Sequence, residues 1–144
     1  MRLWHEKLIP FLPREQLLGQ HRECCALRGA GWGRPHATVN YVFDHPKEWL
    51  YCYHLKVMLE MVKRGYKVNL LWLDISYQGA NLPRRIYTDE TLPDVRELND
   101  KLMGIVYPEH NDDYLAECIS NLDSKGVYIH YTDNTIPLED FFDD

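Results

Sequence analysis

The sequence predicts a mainly α fold: a compact single domain, residues 1–144, of three to four helices joined by long loops with little or no β structure. Two stretches with helical spacing and clear stop signals, 13–28 and 46–64, carry that prediction, and only two short pieces read as extended. At 144 residues and 45% hydrophobic content, the chain is long enough to bury one core without staples.

Pro10 and Pro13 break up the opening MRLWHEKLIPFLP, and Pro13 suits the first turn of a helix running to about Arg28, before Gly29. At about 100° per residue, Leu17, Leu18, His21, Cys24 and Cys25 share one arc and are expected in the core. Gln16, Gly19, Arg22, Glu23 and Ala26 share the opposite arc, where the small Gly19 and Ala26 leave a shallow floor beside Arg22 and Glu23. GAGWG at 29–33 lacks the lysine and preceding strand of a phosphate loop and reads as a connector. HATVNYVF at 36–43 reads as a short extended piece. A second helix has Asp44 or His45 as cap, Pro46 in its first turn, Lys63 and Arg64 in its last and Gly65 as its stop. Its Leu50, Tyr53, His54, Val57, Met58, Met61 and Val62 recur at helical spacing and are expected to pack on the first helix.

Residues 66–92 lack a clean period, and with Gly79, Pro83 and Pro93 as breaks they read as loop with a short turn of helix. Two further helices are expected at about 94–105 and 112–124, the latter ending before Gly126. VYIHY at 127–131 reads as a strand or an aromatic-rich extended tail, followed by an acidic C-terminal segment, 133–144.

Charge divides along the chain. Residues 1–36 hold six Lys/Arg against three Asp/Glu (+3), residues 37–91 seven against six (+1), and residues 92–144 three against thirteen (−10), a total of −6. A polyanion is therefore expected on the surface built by the N-terminal segments. Cys24, Cys25, Cys52 and Cys118 form neither a CxxC pair nor a disulfide framework, which points to reduced thiols. With no cleavable leader and no long apolar run, the expectation is a cytoplasmic monomer without membrane association.

The chemistry concentrates in QLLGQHRECCALR, residues 16–28, where Arg22 and Glu23 sit one turn beyond Gly19 and within reach of a folded-back amino terminus. A carboxylate, a guanidinium and a free α-amine together can form an imine with a sugar C1′. An α-amine ordinarily titrates near pH 7.7–8.0 against about 10.4 for lysine, so at neutral pH it is deprotonated roughly a hundredfold more often. Arg2 and Arg22 would favour that neutral form and also hold phosphates. Glu23 would steady the cationic intermediate, shuttle the proton for ring opening and assist loss of the C2′ proton. Such a site needs no cofactor and no metal.

Plainer readings stand beside this one. Arg22 and Glu23 taken alone read as solvated helix charges, and His21 and His54 as core or boundary histidines. His36 reads as orienting a loop before it contacts phosphate, and Trp32, Tyr128 and Tyr131 as packing before base stacking. Cys52 and His54 with His110 or Cys118 lack the paired spacing of a zinc site.

QLLGQHRE at 16–23, His36-Ala37-Thr38, LEMVKRGYKV at 59–68 and, more faintly, YPEHNDDYLAECISNLDSK at 107–125 together resemble the pyrimidine-dimer DNA glycosylases with AP-lyase activity, of the phage endonuclease V type. The resemblance covers most of the chain in order. It implies a compact helical fold acting on damaged double-stranded DNA, with Met1 and Glu23 as catalytic residues and Arg22 as a DNA-binding arginine. Arg2 follows Met1 and would block its removal, so the nucleophile is expected to be the Met1 amine itself. Gln16 stands where the family carries a DNA-binding histidine, and Ala26 where it carries a helix arginine, with Arg28 as the nearest substitute. Arg2, Gln16, Arg22, Arg28 and His36 are the expected nucleic-acid contacts. The alternatives are a related glycosylase for a different lesion and a noncatalytic nucleic-acid or protein interaction domain of the same fold.

Overall fold

The computed structural model describes residues 2–29 and 38–132. Its four α-helices are α1 (Arg14–Gly29), α2 (Lys47–Lys63), α3 (Val95–Met103) and α4 (Asp112–Ser124), with short 3-10 helices at Glu6–Phe11, Asn40–Asp44 and Leu70–Leu73. No strand occurs among the described residues, and none of their helices is long and apolar enough to cross a membrane.

α2 is the central element, packing on α1, on α3 and on the 3-10 helices at 6–11 and 40–44. Six of its seven expected core residues are buried. The exception is Val62, 57% exposed in the last turn. Pro46 occupies the N-cap position itself, with φ −56° and ψ 142°, and its carbonyl accepts from Trp49 N–H. At the other end, Gly65 takes φ 84° so that Tyr66 N–H can reach Met61 O (2.8 Å), and Gly126 (φ 78°) closes α4 in the same way, with Val127 N–H on Leu122 O. A side chain at either position would strain a left-handed turn.

Several expectations change. The opening is irregular at residues 2–5 but contains a 3-10 helix at 6–11 that tolerates Pro10 and buries Leu8 and Ile9. Part of the expected extended piece is the 3-10 helix at 40–44; residues 36 and 37 lie outside the described residues, as do most of the GAGWG loop and the acidic segment 133–144. Residues 127–131 form no strand, but Val127, Ile129 and Tyr131 pack against the core edge. On α1 the buried residues are Leu17, Gln20, Cys24, Leu27 and Arg28, while Leu18, His21 and Cys25 are only partly buried. The buried arc is thus rotated from the apolar arc, because polar Gln20 and Arg28 find partners inside.

Polar groups that the core encloses join distant segments. The Glu6 carboxylate, 2% exposed, accepts from Val106 N–H (2.8 Å) and Tyr107 N–H (3.1 Å) and pairs with Lys56 Nζ (2.8 Å). His110 Nδ1 accepts from Glu6 N–H (3.2 Å), which places its proton on Nε2, toward the Tyr41 hydroxyl at 2.7 Å. His5 repeats the pattern, Nδ1 accepting from Lys7 N–H and Nε2 donating to His110 O (2.8 Å). Both rings are therefore neutral. Burial lowers the His5 pKa and pushes that of His110 down to about 3.

Two outcomes follow from this core. Replacing Glu6 with Ala strands two buried N–H groups and removes the counter-charge of Lys56, which keeps only Gly104 O, so urea unfolding should register a loss of about 3–5 kcal/mol. The unfolded histidines titrate near 6.5 and the folded ones lower, so the unfolded chain binds more protons below that pH and stability falls on acidification. Between pH 7 and pH 5, above the carboxylate range, His110 alone should account for about 2 kcal/mol of that fall. A urea midpoint that stays flat across this window would contradict the neutral buried rings.

Candidate active site on the first helix

Gln16, Gln20 and Glu23 lie at i, i+4 and i+7 on α1 and form one stripe along its surface. Gln20 is 1% exposed because the N-terminal segment lies over it. Its Oε1 accepts from Trp4 N–H (2.7 Å) and its Nε2 donates to Arg2 O (3.1 Å), so one side-chain amide holds the backbone at residues 2 and 4. From α2, the fully buried Tyr53 donates its hydroxyl to Trp4 O (2.6 Å), with Gln20 Oε1 3.0 Å away. Leu3, between the two clamped residues, is entirely buried.

One turn further along α1, Glu23 is partly buried, and its Oε2 is shielded from solvent with no hydrogen-bond partner among the described residues. A shielded carboxylate oxygen without a donor costs about 1–3 kcal/mol or more, so the position favours one. Arg22, its neighbour, is exposed. Its guanidinium folds back over Gly19, 3.7 Å from where a Cβ on that residue would be, an ordinary contact distance. The Arg2 guanidinium reaches α4, where it pairs with Glu117 Oε1 (3.3 Å) and sits over the Tyr114 ring. Gln16 is partly buried and borders a shallow groove with Arg14, Val127 and Tyr128.

Arg28 belongs to another part of the molecule. It donates to Trp72 O (2.8 Å), Asp74 O (2.9 Å) and Tyr77 O (2.9 Å), lies against the Tyr51 and Trp72 rings, and is 9% exposed. Its N–H groups thus hold the loop at 72–77 onto α1 and α2, and a phosphate would have to displace those carbonyls. Met1 and His36 lie outside the described residues. Of the expected site residues, α1 carries Gln16, Arg22, Glu23 and Arg28, the backbone of Arg2 is held to α1 by Gln20, and the guanidinium groups of Arg2 and Arg28 turn to other partners.

Sequence reading passes over Gln20, although its spacing from Gln16 and Glu23 is the available signal. It sets aside a grouping of His54 with Cys52, His110 or Cys118 without finding the neighbours that His54 has. Cys52 Sγ faces Leu98 O (3.9 Å), His110 sits in the Glu6 network, and His54 meets His21 and Cys25 instead. The spacing of His21 and Cys25, four residues apart on one helix, carries that information.

An amino-terminal segment clamped to a helix that carries a shielded acid defines a small all-helical domain with its first residues built into the candidate site. A family model described as pyrimidine dimer DNA glycosylase matches residues 1–74, 74 of the 144 residues, and the chain belongs to that family. The match spans the clamp, all of α1 and all of α2. Comparison with curated proteins and with solved structures found no significant match.

Gln20→Leu removes both amide bonds while keeping the bulk of the side chain. The Trp4 amide should then exchange its hydrogen about tenfold to a hundredfold faster, the equivalent of a lost buried bond of about 1–3 kcal/mol. Unchanged exchange at Trp4 would show that Tyr53 and the packing of Leu3 suffice to hold the segment.

Proposed function

We propose that this protein is a DNA glycosylase with AP-lyase activity on damaged double-stranded DNA, using the Met1 α-amine as nucleophile and Glu23 as its acid–base partner. The observation that carries this reading is the shielded Glu23 Oε2, without a partner among the described residues and one helical turn from the amide that fixes residues 2 and 4. Membership of a DNA glycosylase family supports the substrate class.

The amine nitrogen attacks C1′, and the C1′–N bond to the damaged base breaks with its electron pair leaving on the base. Ring opening at O4′ needs a proton and leaves a cationic imine, which a nearby carboxylate stabilises. Removal of the C2′ proton then expels the 3′ phosphate and cuts the strand. Glu23 serves each stage in turn, as acid, counter-charge and base. Arg22 would meet backbone phosphate, a role that its exposure on α1 allows, and a weakly stacked lesion lowers the cost of bending the duplex to expose C1′.

Two features favour a lesion other than the pyrimidine dimer as a second reading. Gln16 stands where a DNA-binding histidine is expected, and the Arg2 guanidinium is already paired with Glu117. Borohydride reduction with an abasic oligonucleotide and an untagged chain should trap a covalent adduct on residue 1. Glu23→Gln should slow trapping and strand cutting by about 10²–10⁴-fold, and a blocking extension at the amino terminus should abolish both. The absence of an adduct in the unmodified protein would leave a noncatalytic binding domain. An adduct on abasic DNA without cutting of dimer-containing duplex would select the other lesion class.

A further inference from the structure

On the side of α1 away from Glu23, three potential ligand atoms converge. His21 Nδ1 and His54 Nε2 are 2.9 Å apart, and Cys25 Sγ lies 4.0 Å from the first and 3.9 Å from the second. His21 and Cys25 occupy successive turns of α1, while the fully buried His54 projects from α2. Around a tetrahedral zinc ion, bonds of about 2.0–2.1 Å to nitrogen and 2.3 Å to sulfur put nitrogen ligands about 3.3 Å apart and nitrogen and sulfur about 3.6 Å apart. Each spacing here is within about half an ångström of those values.

We propose that His21, Cys25 and His54 form a transition-metal site for Zn2+ or a cation of similar softness, with a fourth position open to solvent on the partly exposed His21 and Cys25 side. One thiolate and two imidazoles favour such an ion over Mg2+ or Ca2+, which require oxygen ligands. The site is separate from the imine chemistry and joins the two helices that the family match covers.

The surrounding groups define what binding requires. Burial lowers the pKa of both histidines, with Arg22 and Arg28 adding to the effect at His21, so the rings are neutral and in the ligating form. Burial pushes the Cys25 thiol up to about 11, so its proton leaves to solvent as the metal enters. Arg28 Nη1, a donor only, is 2.9 Å from His54 Nδ1, which places the His54 proton on Nε2 in the metal-free chain. Coordination through Nε2 moves that proton to Nδ1, so His54 stays a neutral ligand and the Arg28–His54 bond is released. Arg28 still has the carbonyls of Trp72, Asp74 and Tyr77 as acceptors. The guanidinium charge beside the ring selects a ligand set that includes an anionic sulfur.

Titration of the reduced, untagged full-length chain with Co2+ tests the site. One equivalent should produce a thiolate-to-cobalt charge-transfer band with the strong visible absorption of a four-coordinate ion, and Zn2+ should bleach both. Cys25→Ser should remove the charge-transfer band, and Cys25→Ser and His21→Gln should each weaken binding by about tenfold or more. Both positions are partly exposed, so circular dichroism of the metal-free variants should match the parent chain. Zn2+ should raise the parent's melting temperature and leave that of Cys25→Ser unchanged. The proposal fails if the parent chain gives no charge-transfer band, or if the band persists at equal strength in Cys25→Ser.

Discussion

The enclosed Glu6 carboxylate is the constraint on which the architecture rests. It lies in a short N-terminal 3-10 helix, yet its partners are backbone amides a hundred residues later and a lysine from the central helix. Taking a carboxylate out of water is costly, and several donors together offset the cost where one ion pair would not. The consequence is a closed molecule. The beginning of the chain, α2 and the segment leading into α4 are held to one another before any helix–helix packing is counted, and neutral His110 and Tyr41 extend the connection. The same arrangement delivers residues 2–4 to α1, where Gln20 takes over.

Gln20 links fold to chemistry. A glutamine amide carries an acceptor and a donor at fixed separation, and here both are used on one backbone segment. Glu23 lies on the adjoining turn of the same helix, so the irregular amino-terminal segment is referred to the acid through one regular element. The His21–Cys25–His54 cluster occupies the other flank of α1. One helix therefore serves two different polar sites while Leu17, Cys24 and Leu27 fill the core between them.

Much of this is legible in the amino-acid order, and for identifiable reasons. α2 and α4 match their expected spans closely because caps, glycine stops and apolar spacing agree there. Glu23 and Arg22 are recognisable because a short motif sets their order on one helix. The 3-10 helices escape such a reading, since elements of four to six residues have too few turns to show a period and Pro10 signals a break. The rotated face of α1 escapes it for another reason. Gln20 and Arg28 are buried by partners up to 49 residues away, and no local pattern announces such a partner. Long-range hydrogen bonding also explains why Arg28, expected from the family resemblance as a nucleic-acid contact, clasps a loop.

α3 contrasts with the rest. It contains no fully buried residue, and Val95 and Met103 are well exposed. Its ties to α2 are the partly buried Leu98 and Leu102 at the core edge, Cys52 Sγ against Leu98 O, and Trp49, which donates to Glu97 and lies beneath the Lys101 ammonium. A segment that buries so little is expected to open before the other helices do, and a protease that cleaves transiently opened structure would find its first foothold there.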